Sequence, residues 1–221
     1  TGAGTVPGAV EVTVTQAAAP GLAVTPATRS VGSPAGSTTF EIATAAEWTA
    51  SSSAGWASLG ANAGTGIAAL TVNYAQNTTG EARTATITVT GAGTVPGAVE
   101  VTVTQAAAPG LAVTPATRSV GSPAGSTTFE IATTAEWTAS SSAGWATLGT
   151  NAGTGNAVLT VNYAQNTTGA ARTATITLTG AGTVPGAVEV TVTQAAAPGL
   201  AVTPATRSVG SPAGSTTFEI A

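Results

Sequence analysis

Residues 83–105 read RTATITVTGAGTVPGAVEVTVTQ, and the fold is decided here. Ala85, Ile87 and Val89 share one phase of a period-two alternation, with threonines in the other phase. After the glycine-rich Gly91–Gly97, Val99, Val101 and Val103 alternate with Glu100, Thr102 and Thr104. That pattern is two half-buried strands joined as a hairpin, each with an apolar face inward and a hydroxyl face outward. No helical signal competes with it. Gly, Pro and Thr are dense, and no stretch sets apolar residues at i, i+3, i+4 and i+7 over three turns.

The same text recurs along the chain. It starts at Thr1, restarts at Thr90 and Thr179, and so has a period of 89 residues. The first two copies differ only at Ala45/Thr134, Ser58/Thr147, Ala61/Thr150, Ile67/Asn156, Ala69/Val158, Glu81/Ala170 and Val89/Leu178. A fixed period of this kind marks an array of equivalent folding units.

Working outward from the hairpin, the remaining strands follow by the same alternation. Leu22–Thr25 is a short strand ended by Pro26, with Ser30–Val31 continuing it. Gly32–Gly36 is a turn, and residues 38–43 place Phe40 and Ile42 on one face. Residues 47–51 form a strand with Trp48 inward, 56–59 a short edge piece, and 60–66 a long, flexible loop. Residues 67–75 alternate with Leu70, Val72 and Tyr74 inward, and 76–80 turn the chain into the hairpin. The sum is about seven short strands, which predicts tandem immunoglobulin-like β-sandwich domains, all-β throughout.

The hairpin also sets the domain frame. Ala106-Ala107-Ala108-Pro109-Gly110 follows its second strand and precedes a new LAVTP, so complete sandwiches are expected over 21–109 and 110–198. On this frame residues 1–20 are the C-terminal part of a preceding repeat and 199–221 the N-terminal part of a following one, as in a piece of a longer array.

Composition removes most chemistry. Charged residues are 6% of the chain against a globular norm of about 25%. There is no His, Cys, Lys, Asp or Met; every acid is Glu and every base is Arg. Without imidazole or thiolate there is no activated Ser or Cys nucleophile and no zinc ligand set, and without Lys no Schiff base. A lone Glu among Gly and Ala is a poor calcium shell, and position 81 of the scattered carboxylates is Ala170 in the second copy. The expectation is no enzyme, no cofactor and no metal. Net charge is −4 with five dispersed Arg, so no basic stripe offers itself to nucleic acid, and no apolar run is long enough to span a membrane.

The order LAVTPATRSVGSPAGSTTFEIAT, EWTASSSAGWASL, ARTATITVTG and VEVTVTQ resembles the BACON domain family (Bacteroidetes-associated carbohydrate-binding, often N-terminal). Each complete repeat is similar to that pattern over nearly all of its length. The resemblance implies an immunoglobulin-like sandwich in secreted or bacterial cell-surface proteins, with carbohydrate or mucin binding proposed for the family.

Sugar recognition needs an exposed aromatic face with directed polar groups beside it. Phe40, Trp48 and Tyr74 are placed in the core by phase. Trp56, after a small-residue turn, is either a cap on the sandwich end or a solvent-facing platform, as is Trp145 in the second repeat. The candidate glycan contacts are therefore Trp56 and Trp145, with Asn73 and Asn162, Arg83 and Arg172, and Gln76 as polar neighbours. Asn77-Thr78-Thr79 and Asn166-Thr167-Thr168 match the N-glycosylation pattern but read as turns. The functional expectation is an extracellular or bacterial cell-surface stalk, fibre or filament, whose partners are neighbouring repeats and identical chains. The alternative is an adhesin whose modules hold carbohydrate or mucin by weak multivalent contacts.

Overall fold

In a computed structural model, residues 8, 11–211 and 213–220 are described. Among them the chain is all-β. It divides into two compact units, Thr1–Gln76 with Arg83–Ala106, and Asn77–Ala82 with Ala107–Ala221.

The first sandwich is built of nine strands: β1 (Leu22–Thr25), β2 (Thr28–Val31), β3 (Gly36–Thr44), β4 (Glu47–Ser52), β5 (Ala57–Leu59), β6 (Ala63–Thr65), β7 (Ala68–Tyr74), β8 (Arg83–Gly91) and β9 (Ala98–Gln105). They form a four-stranded sheet in the order β1-β3-β7-β5 and a five-stranded sheet in the order β2-β9-β8-β4-β6. The second sandwich repeats this with β10 (Leu111–Thr114), β11 (Thr117–Val120), β12 (Gly125–Thr133), β13 (Glu136–Ser141), β14 (Ala146–Leu148), β15 (Ala152–Thr154), β16 (Ala157–Tyr163), β17 (Arg172–Gly180) and β18 (Ala187–Gln194).

The hairpin is the centre of each larger sheet. Antiparallel pairing runs without a slip from Arg83↔Gln105 to Thr90↔Ala98, so Ala85, Ile87 and Val89 of β8 meet Val103, Val101 and Val99 of β9. Ala85, Ile87, Val89, Val101 and Val103 are all at most 1% exposed. Phe40, Ile42, Leu70 and Val72 supply the facing layer from the smaller sheet, and Trp48 closes the side. The turn is held by Thr94, whose buried hydroxyl donates to the carbonyls of Gly91 and Pro96.

Two expectations are corrected. Ser30–Val31 does not continue β1: Pro26 cannot donate to a ladder, and the chain crosses to the other sheet, where β2 pairs in parallel with β9. Residues 60–66 are not simply a loop, because β6 lies within them and pairs antiparallel with β4. Its middle residue must be glycine, since a Cβ at Gly64 would clash with the Trp48 indole. These two short strands raise the count from about seven to nine.

All four sheet edges are three or four residues long, β1 and β2 on one side and β5 and β6 on the other. Pro20, Pro26 and Pro34 flank the first pair. Short, proline-bounded edges resist pairing with other chains, which matters where near-identical domains are adjacent.

Outside the sandwiches, Val202–Thr203 (β19) pairs with Glu219–Ile220 (β20), in the same register as Val24↔Ile42 and Thr25↔Glu41 of the first repeat. Glu11–Gln16 carry no strand, and Val12 and Val14 are exposed. Of the hairpin strand expected in 1–20, residues 1–7, 9 and 10 lie outside the described residues.

Candidate functional site

Trp56 follows Ser53-Ala54-Gly55, where the chain leaves the larger sheet for β5. Its ring is half-buried and packs on the core, and the Arg83 guanidinium carbon lies over the ring at 4.4 Å. Trp145 and Arg172 repeat the arrangement at the same 4.4 Å. A guanidinium at that range is a cation–π contact.

Arg83 is also held from two other directions. Its Nε donates to Gln105 Oε1 at 2.9 Å and its Nη2 to the Ala75 carbonyl at 2.7 Å. Gln105 is fully buried, and its amide nitrogen donates to the carbonyls of Ser33, Pro34 and Ala75. One buried amide therefore joins the end of β9, the start of β8, the turn before β3 and the exit of β7. Gln194 does the same in the second repeat, with Arg172, Ser122, Pro123 and Ala164. Charge-assisted bonds of this type are the stronger class.

Of the sequence-derived candidates, Trp56 and Arg83 are thus brought together, as are Trp145 and Arg172. Asn73 and Asn162 are exposed on the outer face of β7 and β16, paired with Ser58 and Thr147. Gln76 is exposed beyond the end of β7. Tyr74 is not the core residue that its phase predicts: at the last position of β7 it is half-buried, with its ring and hydroxyl against Gly36.

The sequon asparagines are structural. Asn77 is fully buried; its Nδ2 donates to the Glu81 carbonyl, and its Oδ1 accepts from both the amide and the hydroxyl of Thr79. Asn166 donates to the Ala170 and Ala195 carbonyls, and its Oδ1 accepts from the amide and the hydroxyl of Thr168. Those amide nitrogens are occupied by the fold.

Sequence reasoning missed Gln105 and Gln194. The signal was present, because Gln105 continues the inward phase of Val101 and Val103, and a buried amide must find partners for each of its polar atoms.

It also missed a groove of about 500 Å³ on the outer face of the larger sheet, present in both repeats. Register places Thr65, Glu47 and Ala92 in one row across β6, β4 and the end of β8, and Ala63, Thr49 and Thr90 in the next. The two alanines leave room beside one carboxylate and three hydroxyls. Glu136, Thr138, Thr154 and Thr179 supply the same groups in the second repeat. Such a row offers hydrogen bonds to a neutral polar ligand. Trp48, beneath it, is 4% exposed and provides no stacking face.

Among the described residues no group of three or more Asp, Glu, His or Cys could hold a metal ion, and no helix is long and apolar enough to cross a membrane. No curated protein matches the chain.

Among solved structures, a Bacteroides ovatus GH5 xyloglucanase in complex with a XXXG heptasaccharide is 26% identical, covering 39% of this chain and 19% of its own, with a TM-score of 0.37. The chain therefore spans under a fifth of that enzyme. Protocadherin Gamma B7 extracellular cadherin domains 1–4 are 11% identical over 91% of this chain and 59% of theirs, TM-score 0.44. Mouse Cadherin-23 EC22–24 is 10% identical over 80% and 65%, TM-score 0.38. The fold assignment rests on the strand pairing and not on these likenesses.

Residues 46–106 and 135–195 match the BACON family, described as "Putative binding domain, N-terminal". The matched segments begin just before β4 and β13, run through the hairpin of each sandwich, and together cover more than half of the sequence. The chain belongs to the BACON domain family, in two tandem copies.

Proposed function

We propose that the chain is part of an extracellular or bacterial cell-surface repeat protein in which tandem sandwiches, 21–109 and 110–198, make a stalk, fibre or filament. The observation that carries this reading is the near-identity of the two sandwiches across a five-residue linker whose backbone is engaged. Ala106 and Ala108 donate to the carbonyls of Val31 and Thr79, and the Pro109 carbonyl accepts from Val184. The linker, Ala106-Ala107-Ala108-Pro109-Gly110, lacks the Gly/Ser-rich composition of a flexible tether. The side chains best suited to chemistry, Arg83 and Gln105, are spent on holding strands together. Electron microscopy of the native protein tests this directly: elongated particles are expected, and isolated monomeric globules exclude it.

A second reading, an adhesin holding glycans weakly and many at a time, is supported by the open groove at Glu47, Thr49, Thr65 and Thr90 and by the family's description as a binding domain. The other location is the end of the sandwich, where Trp56, Arg83 and Asn73, with Trp145, Arg172 and Asn162, would meet the sugar. There Arg83 already covers the indole, so stacking would use what remains of its surface. Glycan-array binding by the wild type, abolished in Trp56→Ala/Trp145→Ala, selects that end. Binding that survives this double variant and is lost in Thr49→Val/Thr138→Val selects the groove.

A further inference from the structure

The five arginines are the only residues in the chain that a trypsin-like protease can take, since there is no lysine. Four of them lie in strands. Arg29 is in β2 and its Nε donates at 3.1 Å to the Thr39 carbonyl in β3, so its side chain ties one sheet to the other. Arg118 makes the same bond to Thr128 at 3.1 Å. Arg83 and Arg172 are clamped by the buried glutamines and stacked on tryptophan. Cleavage needs the arginine side chain extended into the protease and the flanking backbone laid in its cleft, which none of these four sites permits without opening a strand.

Linkers are the usual place for nicking. Here they read Ala106-Ala107-Ala108-Pro109-Gly110 and its copy at 195–199, with nothing basic to seat. We propose that the fold makes every complete repeat resistant to trypsin-like proteolysis, by tying each arginine and its strand to its own sandwich while the linkers carry no cleavable residue. This inference holds under either function above and depends on neither.

The chain contains its own control. Arg29, Arg118 and Arg207 stand in the same text, PATRSVGSPAGSTTFEI, so a protease meets identical flanking residues at all three. Around Arg207 there is no strand, the residues from 204 to 211 are exposed, and its bond at 3.1 Å goes to the Thr216 hydroxyl instead of a sheet carbonyl. Any difference in cleavage therefore reports the fold and not the recognition sequence.

The test is a time course of trypsin on the folded 221-residue chain, with products identified by mass spectrometry, beside the same digestion in urea at a concentration trypsin tolerates. The expected result is cutting after Arg207 on the order of a hundredfold faster than after Arg29, Arg83, Arg118 or Arg172 in the folded chain. In the unfolded chain the rates after Arg29, Arg118 and Arg207 should converge. Cleavage after Arg29 or Arg118 within tenfold of the rate at Arg207 in the folded chain overturns the proposal, as does early cutting after Arg83 or Arg172.

Discussion

The two sandwiches are the same object built twice, and their seven differences show where the fold tolerates change. Six are exposed in both repeats; only Val89/Leu178 lies in the core. Two of the exposed changes, Ser58/Thr147 and Ala61/Thr150, border the open face between β4 and β5, and two more, Ile67/Asn156 and Ala69/Val158, flank the start of β7 and β16. The hairpin's second strand, the buried glutamine, the clamped arginine and the Thr65–Glu47–Thr49–Thr90 groove do not differ at all. The comparison separates positions that hold strands together from positions that only cover them.

The hardest test of that separation is the glutamine. Gln105→Ala removes the donor to three carbonyls and the acceptor of Arg83, leaving polar groups at the sandwich end to find water or stay unsatisfied. The expected loss is about 2–3 kcal/mol in the first sandwich, and the same in the second for Gln194→Ala. Urea unfolding measures the size, and hydrogen exchange resolved by peptide assigns it to one sandwich. Tryptophan emission should also change as Arg83 is released from Trp56. A loss below about 0.5 kcal/mol, the range of ordinary surface substitutions, would place Gln105 with the coverings.

How much of this was legible follows from what period-two alternation reports. It records which face a residue takes, so Phe40, Ile42, Trp48, Leu70 and the hairpin valines could be placed in the core from sequence. It is silent on which sheet a short strand joins. Ser30–Val31 has the same text whether it extends β1 or crosses to β9, and three residues such as Ala63-Gly64-Thr65 carry too little pattern to separate strand from loop. The candidate site divides likewise. Trp56 breaks a run of small residues and Arg83 is one of few charged side chains in the repeat, so both are visible in the sequence, but their stacking depends on β5 and β8 meeting at one end. Phase brings Gln105 inward, yet its partners at Ser33, Pro34 and Ala75 are 72, 71 and 30 residues away. The groove needs three strands in register, β6, β4 and β8, and β6 was the strand that could not be read.

A smaller effect is expected at the one core difference. Val89 pairs with Val99 and Ala50, and Leu178 with Val188 and Ala139, both fully buried, so the second core holds one more methylene among otherwise identical neighbours. Leu178→Val should cost about 1 kcal/mol. If the first core has the same slack, Val89→Leu returns a similar amount; if it is closed around valine, the change destabilises instead. Opposite signs for the two exchanges would show that the cores are equivalent, and losses in both would show that each has packed around its own residue.

The smallest effect distinguishes the loops before β7 and β16. Asn156 Oδ1 accepts from the Thr133 amide at 3.0 Å, whereas Ile67 has no acceptor there and is 81% exposed. Asn156→Ile should therefore cost up to about 1 kcal/mol and speed hydrogen exchange at Thr133. Ile67→Asn should recover part of that at Thr44, since an exposed isoleucine contributes little burial to lose. The pairing of Leu22 with Thr44 and of Leu111 with Thr133 is the same in both repeats, so slower exchange at Thr44 would come from the added side chain alone. If Thr44 exchange does not respond, the bond at Thr133 depends on more than residue 156, and the neighbouring Thr134 and Val158 are the differences that remain to account for it.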